Sequence, residues 1–496
     1  MQTRYLLAID VGTSVSKVIL YDDQFRKISE AQDEIETHHP KPHLFEQDPN
    51  QWWKKVRRGI REVVAKIDPR EIVGIGACAQ MHAPILVDKG GSPLYSCLSW
   101  PDLRAVEITE DMSLDTGVYQ PFYTATAPKI LWIKRNHPQL IEKTYKILFP
   151  KDFIRMKLSN TFCTDLNDAK GSGMFDGEKR AWMDKIVDYL GISEEKLPDP
   201  RPSEEVVGGV TGEISEETGL IEGTPVIAGA SDNLGRALDR TAASARDLLV
   251  YIGTSAMIEY ISESGAKPKG TFRSILGVAG TAPQWFKNNF CEEDRIRASE
   301  MGVSTFNLLD SESEELEPGA GGLVFLPHIM GERAFEGKTR SEAGNFNPYA
   351  RGVIFGLCLG HSRRHIFRAL MEGTAYQLYL CWERIQSLNP GIVANRIVAS
   401  GGGAKSRVWR QIVADVFGLP VWMPKELEAG TIAVACLISV SSGAHRNFED
   451  AVRHIKNPLI SAVEPVEEHL AKYRDMFGLY KGLEERLKDL FSSPHL

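Results

Sequence analysis

Two short stretches of this sequence repeat the same order of residue types. Residues 6–20 contain Asp10-Val11-Gly12-Thr13-Ser14 between two apolar runs, and residues 249–258 contain Tyr251-Ile252-Gly253-Thr254-Ser255. A glycine lets the backbone turn sharply and approach a ligand closely, and the hydroxyls and amide N–H groups that follow can hold phosphate oxygens. The repeat predicts two similar domains, each with a phosphate-binding hairpin, that grip one nucleotide from opposite sides.

Only the first hairpin carries a carboxylate, because Tyr251 stands where the first copy has Asp10. A carboxylate at the end of a rigid strand can hold Mg²⁺ or its water ligands. The alternative is that Asp10 ends the strand and caps a turn. Lys17, on the second strand, either reaches a phosphate or is an exposed strand lysine.

A candidate general base follows the apolar segment Thr224–Ala230. Asp232 comes after Gly229, Ala230 and Ser231, whose small side chains leave space for a substrate. A general base must be charged, fixed in place and within reach of a hydroxyl. The alternative is a helix N-cap, a position that Asp strongly favours.

A glycine-rich loop lies between a predicted strand and a predicted helix in the second half of the chain. Gly401, Gly402 and Gly403 precede Ala404 and Ser406. This arrangement favours nucleotide binding, although the spacing is not that of a dinucleotide fingerprint. Three glycines offer a flat surface for adenine, and a flexible loop is the alternative.

Polar and aromatic residues near two other strand ends are of the types that hydrogen-bond to sugars and stack on them. They are His82, which follows Met81, and, within Ser99–Arg104, Trp100, Asp102 and Arg104. A structural role is the alternative for each. The stretch from Gly331 to Gly337-Lys338-Thr339 resembles a phosphate loop, but its spacing and context are wrong, so we expect an ordinary loop.

Composition and length exclude several protein classes. The 496 residues suit two or three domains, with a boundary near 240–247 that gives domains 1–243 and 244–496. A net charge of −8 without a basic stripe argues against nucleic acid, and no apolar run approaches the ~20 residues of a membrane span. Seven scattered cysteines and a strand close to Met1 predict reduced thiols, no signal peptide and a cytoplasmic location.

Apolar runs and helical patterns alternate along the chain, which predicts an α/β fold. The predicted strands are Arg4–Asp10, Val15–Tyr21, Ile72–Ala79, Pro84–Asp88, Thr224–Ala230, Gly321–Pro327 and Arg396–Ala399. The predicted helices are Trp52–Ile67, Ala127–Asn136, Pro138–Lys146, one beginning at Asn233, His361–Ile385 and Val408–Phe417.

Together these motifs resemble the FGGY family of carbohydrate kinases over nearly the whole chain. The matching stretches are Asp10–Ser14, Phe45–Pro49 with Trp52, Ala127–Trp132, Pro150–Asp152, Thr164-Asp165, Gly229–Asn233, Ala350–Glu372 and Gly401–Pro420. The resemblance implies two ribonuclease-H-like domains of the actin-like ATPase fold with a central cleft.

The resemblance also implies an ATP-dependent sugar kinase with ATP and Mg²⁺ as its nucleotide and metal. Asp232 would be the catalytic base and Asp10 the metal ligand. Gly12, Thr13, Ser14 and Lys17, with Gly253, Thr254 and Ser255, would hold phosphates, and Gly401–Ala404 with Ser406 would receive adenosine. The implied sugar contacts are Met81, His82, Asp102, Arg104, Asp232 and Asn233.

Within the family, Gln80-Met81-His82 and Ala127–Trp132 are most similar to the kinases of D-xylulose. Ala83 and Pro101 depart from their usual pattern, which has Gly and Asn there, and Pro101 cannot donate a backbone hydrogen bond. A gluconate kinase, or a kinase of another ketopentose or polyol, is the alternative.

Two alternatives from other classes are a non-catalytic actin-fold ATPase that switches partners and a sugar sensor. Intact carboxylates at Asp10 and Asp232 favour the enzyme, since neither alternative needs a base. The expected partners are a small sugar and ATP, without nucleic acid or membrane, and a homodimer is compatible with the sequence.

Overall fold

A computed structural model describes residues 4–118, 120, 125–262, 274–276, 279–332, 347 and 349–492. Every predicted site residue lies among them, whereas Gly337-Lys338-Thr339 lies outside the described residues.

The chain separates into two compact units. The first comprises Met1–Thr241 with Glu428–Lys456, and the second comprises Ala242–Leu427 with Asn457–Leu496. The chain first passes from one unit to the other after Thr241, two residues before the predicted boundary between 243 and 244. Segment Glu428–Lys456, which the two-domain prediction placed in the second domain, groups with the first unit.

Seven described strands of the first unit form one mixed sheet. The strand Tyr5–Val11 pairs antiparallel with the next strand of the chain and parallel with Ile72–Ala79. The order across the sheet is Val206–Gly209, Pro225–Ile227, Ile72–Ala79, Tyr5–Val11, Val15–Asp22 and Lys27–Glu34, and Ala230–Ser231 also pairs with Ile72–Ala79. The short pairs are Glu46–Gln47 with Cys97–Leu98, Ile85–Val87 with Lys146–Leu148, Cys163–Asp165 with Asp199–Arg201, and Phe175–Asp176 with Ala181–Trp182.

The described part of the second unit repeats this strand pattern. Its sheet has the order Ser274–Leu276, Ala256–Tyr260, Asp247–Ile252, Arg396–Ser400, Val421–Pro424 and Leu459–Val463. From the hairpin side, neighbouring strands run antiparallel, antiparallel, parallel, parallel and antiparallel in both sheets. The duplication that the Gly-Thr-Ser repeat predicted is therefore present in the sheets. A further pair joins Val324–Leu326 to Val353–Phe355.

Helices cover both faces of the first sheet. Leu7 lies in a core cluster with Trp52 on one face, and its neighbour Ala8 lies in a cluster with Val434 on the other, as the alternation of a strand requires. Val434 belongs to Ala429–Ser441, which we call the returning helix because the chain comes back to the first unit there. The first unit's helices are Pro49–Val64, Val106–Thr116, Thr126–Asn136, Pro138–Lys143, Pro150–Ser159, Leu166–Gly171, Asp184–Leu190, Gly212–Thr218, Arg236–Thr241, Ala429–Ser441 and Phe448–Arg453.

The described helices of the second unit are Thr281–Phe290, Glu292–Glu300, Thr305–Glu314, Arg363–Leu388, Arg407–Phe417 and Glu467–Leu487. Val324, Leu326 and Tyr376 share a core cluster with Tyr473 and Tyr480. The longest described helix of this unit is thereby packed between a strand and the last long helix.

Most predicted elements are present, with shifted ends. The predicted helix from Trp52 begins three residues earlier, because Asp48 caps it with a bond from Asn50 N–H at 2.9 Å and Pro49 suits its first turn. The predicted strand Thr224–Ala230 is instead two strands, broken where Gly229 has φ +81°. No described helix has the length and apolar character needed to cross a membrane. The seven cysteines, all of which the structure describes, form no disulfide bond.

Two helical glycines of the second unit give a matched test of this packing. A Cβ on Gly373 would lie 2.1 Å from the Phe325 carbonyl oxygen, whereas a Cβ on Gly478 would meet no atom within 4 Å. We expect Gly373→Ala to lower the free energy of unfolding by about 1–3 kcal/mol through overpacking. Gly478→Ala should raise it by up to ~1 kcal/mol, because alanine is the better helix former. Urea unfolding measures both, and equal effects of the two substitutions would contradict this packing.

Candidate active site

The register of three parallel strands brings the two predicted acidic residues to one edge of the first sheet. Asp10 pairs with Cys78 on one side, and Ala230 pairs with Cys78 on the other. Asp232 follows Ala230 by two residues. The two carboxylates are close enough that the charge of Asp232 contributes to the raised pKa of Asp10.

Asp10 is partly buried against the start of the returning helix. A Cβ on Gly430 would lie 3.5 Å from Asp10 Oδ2, an ordinary van der Waals contact, so the returning helix begins directly against this carboxylate. Asp10 Oδ1 is enclosed and has no hydrogen-bond partner among the described residues. Burial raises the pKa of Asp10 to about 7; Lys17 lowers it, and the charges of Asp232 and Glu428 raise it further.

Lys17, a predicted phosphate contact, forms an ion pair with Glu428. Lys17 is the register partner of Asp10 across the hairpin, and Glu428 immediately precedes the returning helix. Burial alone would lower the pKa of Lys17, but the Glu428 carboxylate more than offsets this, so the pKa is raised. The pair therefore fixes a positive charge beside Asp10 and attaches the returning helix to the second strand.

Asp232 occupies the first position of a short 3₁₀ turn, Asp232–Gly235, and its side chain is accessible to solvent. Ser231 holds the cap position, although its side chain makes no capping hydrogen bond. The alternative prediction, that Asp232 is an N-cap, is therefore wrong. Surrounding protein reduces the hydration of the Asp232 carboxylate and raises its pKa, while Arg236 lowers it.

The donor set at this edge fits a divalent cation that keeps most of its water. Among the residues that the structure describes, no group of three or more His, Cys, Asp or Glu side chains could hold a metal alone. The enclosed, unpartnered Oδ1 of Asp10 supplies one carboxylate oxygen. Mg²⁺ is commonly bound in this way, through one or two carboxylates, waters and substrate phosphates.

Three of the predicted sugar contacts lie together next to Asp232. Asn233 Nδ2 lies 2.6 Å from Met81 Sδ, and His82 Nδ1 lies 2.9 Å from the Gly171 carbonyl oxygen. His82 adopts a left-handed backbone conformation with φ +63°, which is rare for a residue with a Cβ. Strain of this kind is concentrated at functional sites.

The other two predicted sugar contacts, Asp102 and Arg104, bind each other. Arg104 Nε donates to Asp102 Oδ1 at 2.7 Å and Nη2 to Asp102 Oδ2 at 2.8 Å. Arg104 also donates to Glu46 at 2.8 Å and lies over Trp132, 4.8 Å from the ring centroid. Asp102 is fully buried and accepts the Phe45 N–H at 2.7 Å. Direct contact of this pair with a sugar stays a prediction.

The first Gly-Thr-Ser turn is tied to the rest of its unit by side chains. Trp100 Nε1 donates to the Thr13 hydroxyl at 2.8 Å, and Gln47 Nε2 donates to the Thr13 carbonyl at 2.8 Å. Gln80 in turn donates to Gln47 Oε1 at 2.8 Å. Gly12 N–H donates to the Val15 carbonyl at 3.0 Å and closes the turn.

A buried ionic cluster lies beneath this site. Lys151, with no exposed surface, forms ion pairs with Asp152 at 2.6 Å and with Asp165 and Asp168 at 2.9 Å each. Arg155 pairs with Asp152 at 3.0 Å and donates to the Ala228 carbonyl at 3.1 Å, close to the strand that leads to Asp232. The cluster explains the sequence motifs Pro150–Asp152 and Thr164-Asp165. Burial raises the pKa of Asp168 to about 8.

The two predicted nucleotide loops of the second unit leave adjacent parallel strands. Tyr251 pairs with Ser400, so the turn at Gly253–Ser255 and the loop from Gly401 begin side by side. Gly253 N–H donates to the Ser255 carbonyl at 2.9 Å, and the Thr254 carbonyl accepts the Ala279 N–H at 3.1 Å. A Cβ on Gly253 would lie 2.3 Å from the Tyr251 ring.

The glycine-rich loop passes close to the first of these strands. Gly401 has φ +85°, and a Cβ there would lie 2.7 Å from the Ile252 carbonyl oxygen, whereas Gly402 faces open space. Ser406 caps helix Arg407–Phe417 by accepting the Trp409 N–H at 3.0 Å. The Ala404 carbonyl accepts Arg410 Nη1 at 3.0 Å. The loop therefore leads directly into a capped helix, and the exposed Gly402 lies near its centre.

Sequence reasoning missed three contributors to this site. Glu428 belongs to no sequence motif, because its ion pair with Lys17 forms only when the chain returns to the first unit. The bond from Trp100 to Thr13 joins residues 87 positions apart. Lys151 is polar and entirely buried, and only its proximity in sequence to Asp152 could have indicated a partner.

Two family models match this chain. The N-terminal domain of the FGGY family of carbohydrate kinases matches residues 5–238, and its C-terminal domain matches residues 248–441.

Individual relatives match over nearly their full length. A xylulose kinase of Bacillus subtilis is 28% identical, with 98% of each chain covered. A gluconokinase of Bacillus licheniformis is also 28% identical, with 99% of this chain and 97% of the relative covered. The crystal structure of a gluconate kinase from Lactobacillus acidophilus aligns with a TM-score of 0.74, at 23% identity and 98% coverage of both chains. This crystal structure and the present chain share the actin-like ATPase fold.

The Asp168 carboxyl group predicts how stability depends on pH. Its folded pKa of about 8 lies above the ordinary value of 3.8, so this group's contribution to stability is lost as pH rises from about 4 to 8. Asp168→Asn keeps the side chain uncharged, so between pH 6 and 9 its melting temperature should fall less than that of the native protein. A difference of at least about 2 °C is expected for ~1 kcal/mol.

Asp450, whose pKa is lowered to about 2 by Arg446, provides the control, because Asp450→Asn changes no titration between pH 6 and 9. Parallel pH profiles for Asp168→Asn and the native protein would show that Asp168 stays ionised in the fold.

Proposed function

This chain belongs to the FGGY family of carbohydrate kinases, and we propose that it phosphorylates the terminal hydroxyl of D-xylulose to give D-xylulose 5-phosphate. The family membership makes it an ATP-dependent sugar kinase. The choice of sugar, the roles of the site residues and the choice of Mg²⁺ are the proposal.

In the proposed reaction, Asp232 accepts the proton of the sugar hydroxyl. The hydroxyl oxygen bonds to the γ-phosphorus of ATP as the bond to the β-phosphate oxygen breaks, and ADP leaves. A divalent ion, for which Mg²⁺ is our choice, offsets negative charge on the phosphates when it is bound at Asp10. Phosphoryl transfer depends mainly on positioning and electrostatics, which suits a rigid sheet edge.

The strongest support comes from the placement of Asp10 and Asp232. Asp10 lies in the strand Tyr5–Val11 and Asp232 directly follows Ala230–Ser231, and both strands run parallel to Ile72–Ala79, so main-chain hydrogen bonds fix the backbone at or next to each carboxylate. Asp232 is accessible to a substrate, and its pKa is raised. A base works best when its pKa lies closer to the working pH than that of an ordinary carboxylate.

The nucleotide is assigned to the glycine turns. The N–H groups of Gly12 and Gly253 close their own turns, so the main-chain N–H groups that follow them, at Thr13–Ser14 and Thr254–Ser255, would hold phosphates. The open side of Gly402 would receive the adenine. Lys17 would add a fixed positive charge, already held by Glu428. In this assignment the first domain binds the sugar and the second the adenosine.

Charge supports a neutral ketose over gluconate. Asp10, Asp232 and Glu428 give this edge of the sheet a negative character. The charges of Asp232 and Glu428 both raise the pKa of Asp10. Arg104, the permanent cation among the predicted sugar contacts, is committed to Asp102 and Glu46. The carboxylate of gluconate would therefore meet repulsion without a dedicated partner.

A cytoplasmic location fits a kinase of this kind and is part of the proposal.

A substrate panel tests the choice of sugar. ADP release with Mg-ATP is measured for D-xylulose, L-xylulose, D-ribulose, L-ribulose, gluconate, glycerol and erythritol. We expect kcat/KM to be highest for D-xylulose, by at least about tenfold, because a site built to hydrogen-bond each hydroxyl rejects the wrong stereochemistry. A preference for gluconate would keep the reaction type and overturn the charge argument.

Asp232→Asn tests the base. We expect kcat to fall by at least ~10²-fold, while D-xylulose binding, measured by calorimetry, stays within a few-fold. In the native enzyme kcat should fall as pH decreases through the raised pKa of Asp232, because a protonated carboxyl cannot accept a proton, and the variant should lack this acidic limb. Near-native turnover in the variant would falsify the role of Asp232.

A further inference from the structure

The sequence motif Ala127-Pro128-Lys129 has no part in the chemistry described so far. Lys129 lies on helix Thr126–Asn136 and has no exposed surface. A buried ammonium group is costly unless its N–H donors find acceptors. A lysine at this position therefore indicates a specific task for its side chain.

The Lys129 ammonium group joins two loops by their main-chain carbonyls. Nζ donates to the Ser99 carbonyl at 2.6 Å, to the His82 carbonyl at 2.8 Å and, at 3.4 Å, to the Leu98 carbonyl. His82 follows the strand Ile72–Ala79, whereas Leu98 and Ser99 belong to the segment that continues into Trp100. One side chain thus fixes the separation of two loops that are distant in sequence.

Both loops carry groups assigned to substrates. His82 is held with φ +63°, a conformation that persists only when its surroundings enforce it, and Lys129 binds the carbonyl of this residue. Ser99 is followed by Trp100, which donates to the hydroxyl of Thr13 in the first phosphate turn. A displacement of Lys129 would move the sugar contacts directly, whereas the phosphate turn keeps its separate bond from Gln47 to the Thr13 carbonyl.

We infer that Lys129 is a positioning residue for the sugar: its ammonium group holds the His82 loop and the Ser99 loop in register, and so sets the affinity for the sugar without touching it. The inference rests on the proposed function only in assigning Met81 and His82 to the sugar. The sugar used in the test is whichever member of the panel the native enzyme phosphorylates best, so a wrong choice of D-xylulose does not decide this inference.

Lys134 gives a matched control on the same helix. Its Nζ donates to the Leu190 and Gly191 carbonyls at 2.8 and 2.6 Å, so it also holds a loop through main-chain oxygens. Neither of these carbonyls belongs to a segment assigned to sugar binding. Lys129→Met and Lys134→Met remove similar hydrogen bonds and keep a side chain of similar length. Their comparison separates a local effect on the sugar from a general loss of stability.

The test is the KM for the sugar and the KM for ATP, together with the rise in melting temperature on adding sugar or ADP. For Lys129→Met we expect the sugar KM to rise about 10- to 100-fold, the loss typical of a binding group displaced by about 1 Å. The sugar-induced rise in melting temperature should shrink, while the ADP-induced rise stays. Lys134→Met should leave the sugar KM within about twofold.

Two results would overturn the inference. One is a folded Lys129→Met enzyme with the native sugar KM, and the other is an equal rise in sugar KM for both variants. If Lys129→Met does not fold, Lys129→Arg replaces it, since it keeps the charge but presents its N–H groups as a wider fork. We expect at least a fivefold rise in its sugar KM, and a native sugar KM in that variant contradicts the inference equally.

Discussion

The alignment of three strand ends is the constraint on which the candidate active site depends. Tyr5–Val11 and Ala230–Ser231 both run parallel to Ile72–Ala79, and Asp10 and Ala230 are level with Cys78. Parallel strands present their carboxyl ends at one edge, and the loops that follow meet there. The same edge carries Gln80–His82, so the alignment of the strand ends places both the acidic residues and the loop assigned to sugar binding.

Several charges are confined at this edge, and the protein accommodates them by specific partners. Lys17 pairs with Glu428, Arg104 pairs with Asp102, and Lys129 is saturated by carbonyl oxygens. Each cation is thereby held in one orientation, because a buried charge without a partner would be costly. Asp10 is the exception, with one enclosed carboxylate oxygen that no described group satisfies. A cation that binds to the protein would therefore be stabilised most strongly at this oxygen.

Local sequence patterns predicted much of the fold and part of the site. The repeated Gly-Thr-Ser turn predicted the duplicated hairpins, because a glycine turn between apolar runs has few other solutions. The family resemblance was equally accessible, since its motifs are contiguous. The break at Gly229 was missed because an apolar run gives no sign of a positive φ. The pairing of Lys17 with Glu428 joins residues 411 positions apart, and nothing in either neighbourhood identifies the other.

The returning helix has a consequence for how the protein is made. The first sheet is complete in sequence at Ser231, yet one of its faces is covered by Ala429–Ser441, some 200 residues later. At about 5–20 residues per second, a ribosome needs roughly 10–40 s to add them. During that interval Leu6, Ala8, Ile19 and Tyr21 lack their native cover. The nascent chain therefore exposes an apolar sheet face for much of its synthesis, and a gene truncated after the first half would encode a domain without part of its core.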